Sequence, residues 1–120
     1  MIDRIFWSGE PISSVLYKGS KNYISEIVFC FPNDSKVCFG IDCNTDEVIE
    51  NYIMHGKYKV LINNIFIGNE VYSYRRVYNQ RNYFDGFQIT IKNLENNSLN
   101  MVKFNVIASH FALYKFLRIA

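Results

Sequence analysis

The stretch Tyr23-Ile24-Ser25-Glu26-Ile27-Val28-Phe29-Cys30-Phe31, Pro32-Asn33-Asp34-Ser35, Lys36-Val37-Cys38-Phe39-Gly40-Ile41-Asp42 decides the fold class. In its first arm Ile24, Glu26 and Val28 alternate with Ser25, Ile27, Phe29 and Phe31, the two-residue period of a pleated strand. The second half of that arm is apolar on both faces, which puts it at the centre of a sheet. Pro32 to Ser35 are all turn formers: proline presets φ, and Asn, Asp and Ser side chains bond nearby backbone. The whole is a β-hairpin.

Outward from this hairpin the same signals recur. Ser14 to Lys18, Lys59 to Ile62, Val71 to Tyr78, Phe84 to Lys92, Leu99 to Ile107 and Phe111 to Leu117 read as strands, with Asn93 to Ser98 a turn joining Phe84–Lys92 to Leu99–Ile107. Ten Phe, nine Tyr and one Trp lie among Val and Ile, the types that fit a half-buried pleated surface. Only Glu47 to Met54 has competing helical spacing, at Val48, Ile49, Tyr52 and Ile53, with Thr45 or Asp46 as a cap. Its Val and Ile content and short length fit a strand equally well. The expected architecture is mainly β: a single-domain, mostly antiparallel sheet coiled into a sandwich or partly open barrel, with at most one or two short helices.

At 120 residues the chain has room for one domain, residues 1–120. With 49% hydrophobic and 20% charged residues it can bury a core, and disorder is excluded. There is no internal sequence repeat and no low-complexity tract. The start Met1-Ile2-Asp3-Arg4 does not read as a signal peptide, and no apolar run approaches a membrane span, so a cytoplasmic protein is expected. Cys30, Cys38 and Cys43 have no zinc or redox spacing; Cys30 and Cys38 read as small hydrophobes in core strands.

Catalytic machinery is hard to assemble from this sequence. Six glycines are scattered singly, so no phosphate-binding loop exists, and neither His55 nor His110 sits in a nucleophile signature. No enzyme, metal or cofactor is therefore expected. The charge is more informative than its total of +2, because residues 1–60 carry −2 (eight acids, six bases) and residues 61–120 carry +4 (three acids, seven bases). Asp42-Cys43-Asn44-Thr45-Asp46-Glu47-Val48-Ile49-Glu50 holds four acids and no base, and lacks the pattern of a calcium loop. It is either a solvated loop or a surface that docks a basic partner. The opposite-signed Tyr72 to Phe84 carries Arg75, Arg76 and Arg81 among aromatics that include Tyr74 and Tyr83. It reads as a single-stranded nucleic-acid platform or as a strand whose arginines cover the sheet. Alternation puts Tyr72, Tyr74, Arg76 and Tyr78 on one face and Ser73, Arg75 and Val77 on the other.

Asn79-Gln80-Arg81-Asn82-Tyr83-Phe84-Asp85-Gly86-Phe87-Gln88 resembles the pattern N-Q-x-G-Y-x-D-G-[LF]-Q of a family of small bacterial proteins, and Asp46-Glu47-Val48-Ile49 its acidic D-[DE]-x-I segment. The residues read as a tight connection into a strand, with a left-handed turn at Asp85-Gly86 and Asn79 or Asp85 bonding backbone amides. Asn82 stands where that pattern has Gly. Such families resemble the immunity proteins of polymorphic toxin and contact-dependent growth inhibition systems. The resemblance implies a protein that binds the C-terminal domain of a cognate toxin, a nuclease among the expected kinds, and blocks it. On that reading Asp42, Asp46, Glu47 and Glu50 face the toxin around a Tyr52 anchor, with no nucleic acid or membrane bound directly. The alternative is a nucleic-acid module built on Tyr74, Arg75, Arg76, Arg81 and Tyr83.

Overall fold

The computed structural model describes residues 10–20, 22–61 and 65–115, which form one antiparallel nine-stranded sheet with no helix among them. The strands are β1 (Ser14–Ser20), β2 (Tyr23–Cys30), β3 (Lys36–Ile41), β4 (Val48–Glu50), β5 (Lys59–Val60), β6 (Glu70–Tyr78), β7 (Phe84–Lys92), β8 (Leu99–Ile107) and β9 (His110–Lys115). Every expected strand is present. The ambiguous Glu47–Met54 segment resolves as the short β4 followed by irregular chain, and the expected ends at Ile62 and Leu117 lie outside the described residues.

The pivot is β2. One edge pairs with β1 along its whole length, from Ser14↔Cys30 to Ser20↔Tyr23. The other edge is shared: Ile27 to Cys30 pair with β3, and Ile24 pairs with Phe111 of β9. Two limbs therefore leave β2, the short β3–β4 and the long β9–β8–β7–β6. They curl toward each other into a half-barrel because each has an apolar inner face. Phe39 of β3 stacks on Phe87 of β7 with ring centroids 4.0 Å apart, Phe87 stacks on Phe104 of β8 at 4.6 Å, and Phe29 meets Phe66 and Phe104 edge-on. Each such ring contributes about 1.5–3 kcal/mol by leaving water.

Two bulges correct the simple alternation. Opposite Lys18 and Gly19 the register passes from Glu26 directly to Ile24, so Ser25 is extra and Ile24 joins Ile27 and Phe29 in the core instead of sharing a face with Glu26. In β6 the register jumps from Val71 to Ser73; Tyr72 turns out to solvent while Val71 and Tyr74 point inward, so Tyr72 and Tyr74 do not share a face. A further correction concerns Asp85-Gly86. Both lie within β7, and the left-handed residue of the connection is Asn82, with φ 67°. Asn tolerates that conformation, so the turn forms without glycine at this position. Asn79 Oδ1 accepts from the N–H groups of Arg81 (2.8 Å) and Tyr83 (3.1 Å), as the sequence suggests. Gly86 is required for space: a Cβ there would stand 2.7 Å from both Phe104 O and Asn105 Oδ1.

The outer face of β1–β3 is covered as well. Val28, Cys30 and Cys38 form a second small cluster, roofed by Tyr52, Met54 and Tyr58 from the segment between β4 and β5, and by Leu16. Cys30 and Cys38 are thus the buried small hydrophobes expected, and Cys43 is exposed.

Candidate binding interface

The segment 51–58 folds back as a flap, and one buried acid holds it down. Glu26 is only 6% exposed on the outer face of β2. Tyr58 donates its hydroxyl proton to Glu26 Oε1, and Lys18 Nζ stands 3.7 Å from Oε2 while donating to the His55 carbonyl. Lys18 also lies over the Tyr58 ring, 5.1 Å from its centroid. Burial, with the hydrogen bond to Glu26, pushes the Tyr58 hydroxyl up to about 12, and burial beside the Glu26 charge pushes the Cys38 thiol to about 12. Tyr52 lies flat against β3, where a Cβ on Gly40 would be 2.6 Å from its ring. With Tyr52 anchored, the next residue is thrown outward: Ile53 is 84% exposed, the most exposed large hydrophobic among the described residues. Ile49, Asn51, Tyr52, Ile53 and His55 line an open apolar groove.

The acidic segment and the basic strand, separate in sequence, meet across the mouth of the half-barrel. Glu50 Oε2 accepts from Arg76 Nε at 2.8 Å and from the Tyr74 hydroxyl, and Arg76 lies over the Tyr74 ring at 5.6 Å. Glu47 Oε2 accepts from the Phe84 N–H at 3.1 Å. No ladder joins β4 to β6 or β7 among the described residues, so these side chains close the seam. Asp46 Oδ1 accepts from Ser109 Oγ at 2.7 Å, and Asp42 Oδ1 from the Asn44 N–H at 2.9 Å. Of the four acids proposed to face a partner, Glu50 is thus engaged by a cation inside the fold. Asp42, Asp46 and Glu47 are fixed by neutral donors, which orient a carboxylate without cancelling its charge. Tyr52, the expected anchor, sits beside them, and Cys43 and Tyr52 line one pocket.

The alternative set does not assemble. Tyr74 is 7% exposed and faces the core, and Arg76 is engaged with Glu50. Arg75 faces away from them, its backbone paired with Gln88, while Arg81 and Tyr83 belong to the β6–β7 turn. Each histidine Nδ1 lies against a backbone carbonyl two residues earlier, Ile53 for His55 and Ala108 for His110. No group of three or more His, Cys, Asp or Glu among the described residues could hold a metal. No helix among them is long and apolar enough to cross a membrane.

Sequence reasoning missed Glu26, Tyr58, Ser109 and Ile53. The signal for Glu26 was present, a lone acid inside an otherwise apolar central strand, since such a residue stays charged only with partners. Nothing in the sequence points to Ser109, which reaches Asp46 across 63 residues of chain.

Fold and surface together define a small all-β half-barrel with a flap over one outer face. The chain belongs to a family of unknown function, DUF6334, whose model matches residues 2–120. No curated protein and no solved structure matches it.

Proposed function

We propose that the chain is an immunity protein that binds the C-terminal domain of a cognate bacterial toxin in the cytoplasm and blocks its active site or substrate path. The observation that carries this reading is the Tyr52–Ile53 projection. A large apolar side chain is held out on an anchored flap, and its neighbour Tyr52 shares a pocket with Cys43 of the turn that carries Asp42, Asp46 and Glu47. Binding interfaces concentrate energy in such apolar anchors, while surrounding charges set association rate and partner choice. A nuclease toxin suits this surface, because a cleft that holds a phosphate backbone is basic. The nucleic-acid alternative is weaker, since its stacking residue Tyr74 is buried and its Arg76 is neutralised by Glu50.

The test is co-expression with the C-terminal domain of a large secreted protein encoded beside this gene. Growth rescue and co-purification as one complex are expected. A toxic neighbour that is neither rescued nor bound contradicts the proposal, and retention on single-stranded RNA at physiological salt would favour the alternative.

A further inference from the structure

Tyr52 also lines a second, smaller pocket of about 190 Å3, together with Ser25, Glu26, Ile41, Cys43 and Ser109. Its chemistry is one-sided. Ser25 Oγ donates its proton to the Lys18 carbonyl and Ser109 Oγ donates its own to Asp46 Oδ1, so both hydroxyls are left with lone pairs to offer. Glu26 is a buried carboxylate whose two oxygens have room for about four hydrogen bonds, of which Tyr58 uses one and Lys18 makes a looser contact. Acceptors therefore predominate: Glu26 supplies the carboxylate of the lining and Asp46 stands behind the Ser109 hydroxyl, with the Tyr52 ring and the apolar Ile41 completing the wall.

We infer that this pocket is a receptor for a guanidinium side chain, an arginine presented by the protein partner. Guanidinium carries five N–H donors and no acceptor, stacks on aromatic rings and has an apolar stem, which matches acceptor oxygens, Tyr52 and Ile41 in turn. An anion is repelled by Glu26 and Asp46, and a neutral amide leaves acceptors on both sides unmatched. Lys18 fills the role only in part: its ammonium donates to the His55 carbonyl and stands 3.7 Å from Glu26 Oε2, and it is not part of the pocket lining. The partner assignment rests on the proposed function; the pocket's preference for a guanidinium does not, and it is measured without any toxin.

The probe is N-acetyl-L-arginine amide titrated into the full-length protein, with amide shifts followed by NMR and N-acetyl-L-citrulline amide as the neutral isostere. Arginine is expected to shift Ser25, Glu26, Cys43, Tyr52 and Ser109 with an apparent affinity at least tenfold above citrulline, and Cys43→Phe, which fills the pocket from its exposed rim, to abolish the shifts. Because Glu26→Gln also loosens the flap, Cys43→Phe and Ser25→Tyr serve as the decisive variants. Equal or absent responses to the two probes, or shifts that survive Cys43→Phe, overturn the assignment. A pocket that passes while co-expression fails removes the toxin and leaves the guanidinium site standing.

Discussion

The chain builds the same three-stranded meander twice and treats its outer face in two ways. In β2–β3–β4 and in β6–β7–β8 the first turn spans five residues: Phe31 N bonds Ser35 O at 3.0 Å and Asn79 N bonds Tyr83 O at 2.9 Å, with left-handed Asp34 (φ 66°) and Asn82 (φ 67°) at the fourth position. The second turn spans six: Asp42 N to Glu47 O and Asn93 N to Ser98 O are both 2.8 Å, with left-handed Asp46 (φ 57°) and Asn97 (φ 59°) at the fifth. Asx residues tolerate that conformation, so Asp and Asn supply four left-handed positions without glycine. The difference lies above the sheet. Outward positions of the first meander are Val28, Cys30 and Cys38, which need a roof and receive the flap. In the second, the paired residues Arg75, Gln88 and Lys103 run across β6, β7 and β8 and need none. Hairpins with matching turns thus become a covered half and a bare one, according to the polarity of outward positions.

The largest expected effect breaks both halves together. Phe87→Ala empties the stack between Phe39 and Phe104 and should cost about 3–5 kcal/mol in denaturant unfolding. A loss below 1 kcal/mol would mean the limbs are not held by this stack. The two glycines sharpen the contrast. Gly86→Ala drives its methyl into a β8 backbone carbonyl, whereas Gly40→Ala meets only the Tyr52 ring, which can lift with the flap. Gly86→Ala should therefore cost more, about 1–3 kcal/mol, and Gly40→Ala should be the one that exposes Cys38 to thiol reagents. Faster Cys38 labelling in Gly86→Ala than in Gly40→Ala would reverse the account.

Alkaline titration separates the halves further. Tyr58 and Cys38 both hold their protons more tightly when folded, up to about 12, than their ordinary values of 10.0 and 9.0. Their contribution is complete below pH 9 and is lost as pH rises toward 12, because the unfolded chain releases these protons first. The flap should loosen over that range, seen as Cys38 reactivity, before the second meander opens in hydrogen exchange; Tyr58→Phe should reduce the pH dependence. Simultaneous opening of both halves would argue against a separable flap. The smallest effect concerns the β8–β9 turn, where Ala108 (φ 49°) and Ser109 (φ 66°) are left-handed without being Gly or Asn. Ala108→Asn should stabilise by about 1 kcal/mol in thermal unfolding; no gain would mean the turn is already relaxed.

Much of this was legible in the sequence. Phe84–Lys92 and Leu99–Ile107 were bounded to the residue, because strict alternation and Asx-rich turns are local signals. The bulges at Ser25 and Tyr72 were not, since an extra residue leaves the composition of a strand unchanged while reversing the face of Ile24 and Tyr72. The acidic and basic segments were recognised one by one. Their meeting through Glu50 and Arg76 depends on the curl of the sheet, which no local pattern encodes.

The central claim is that the flap carries the binding surface, and Ile53→Asp tests it most directly. At 84% exposure this change should leave the unfolding temperature unaltered while weakening binding to the toxin domain at least 100-fold and abolishing growth rescue. Unchanged rescue and affinity in a normally folded Ile53→Asp protein would place the binding surface elsewhere and contradict the account.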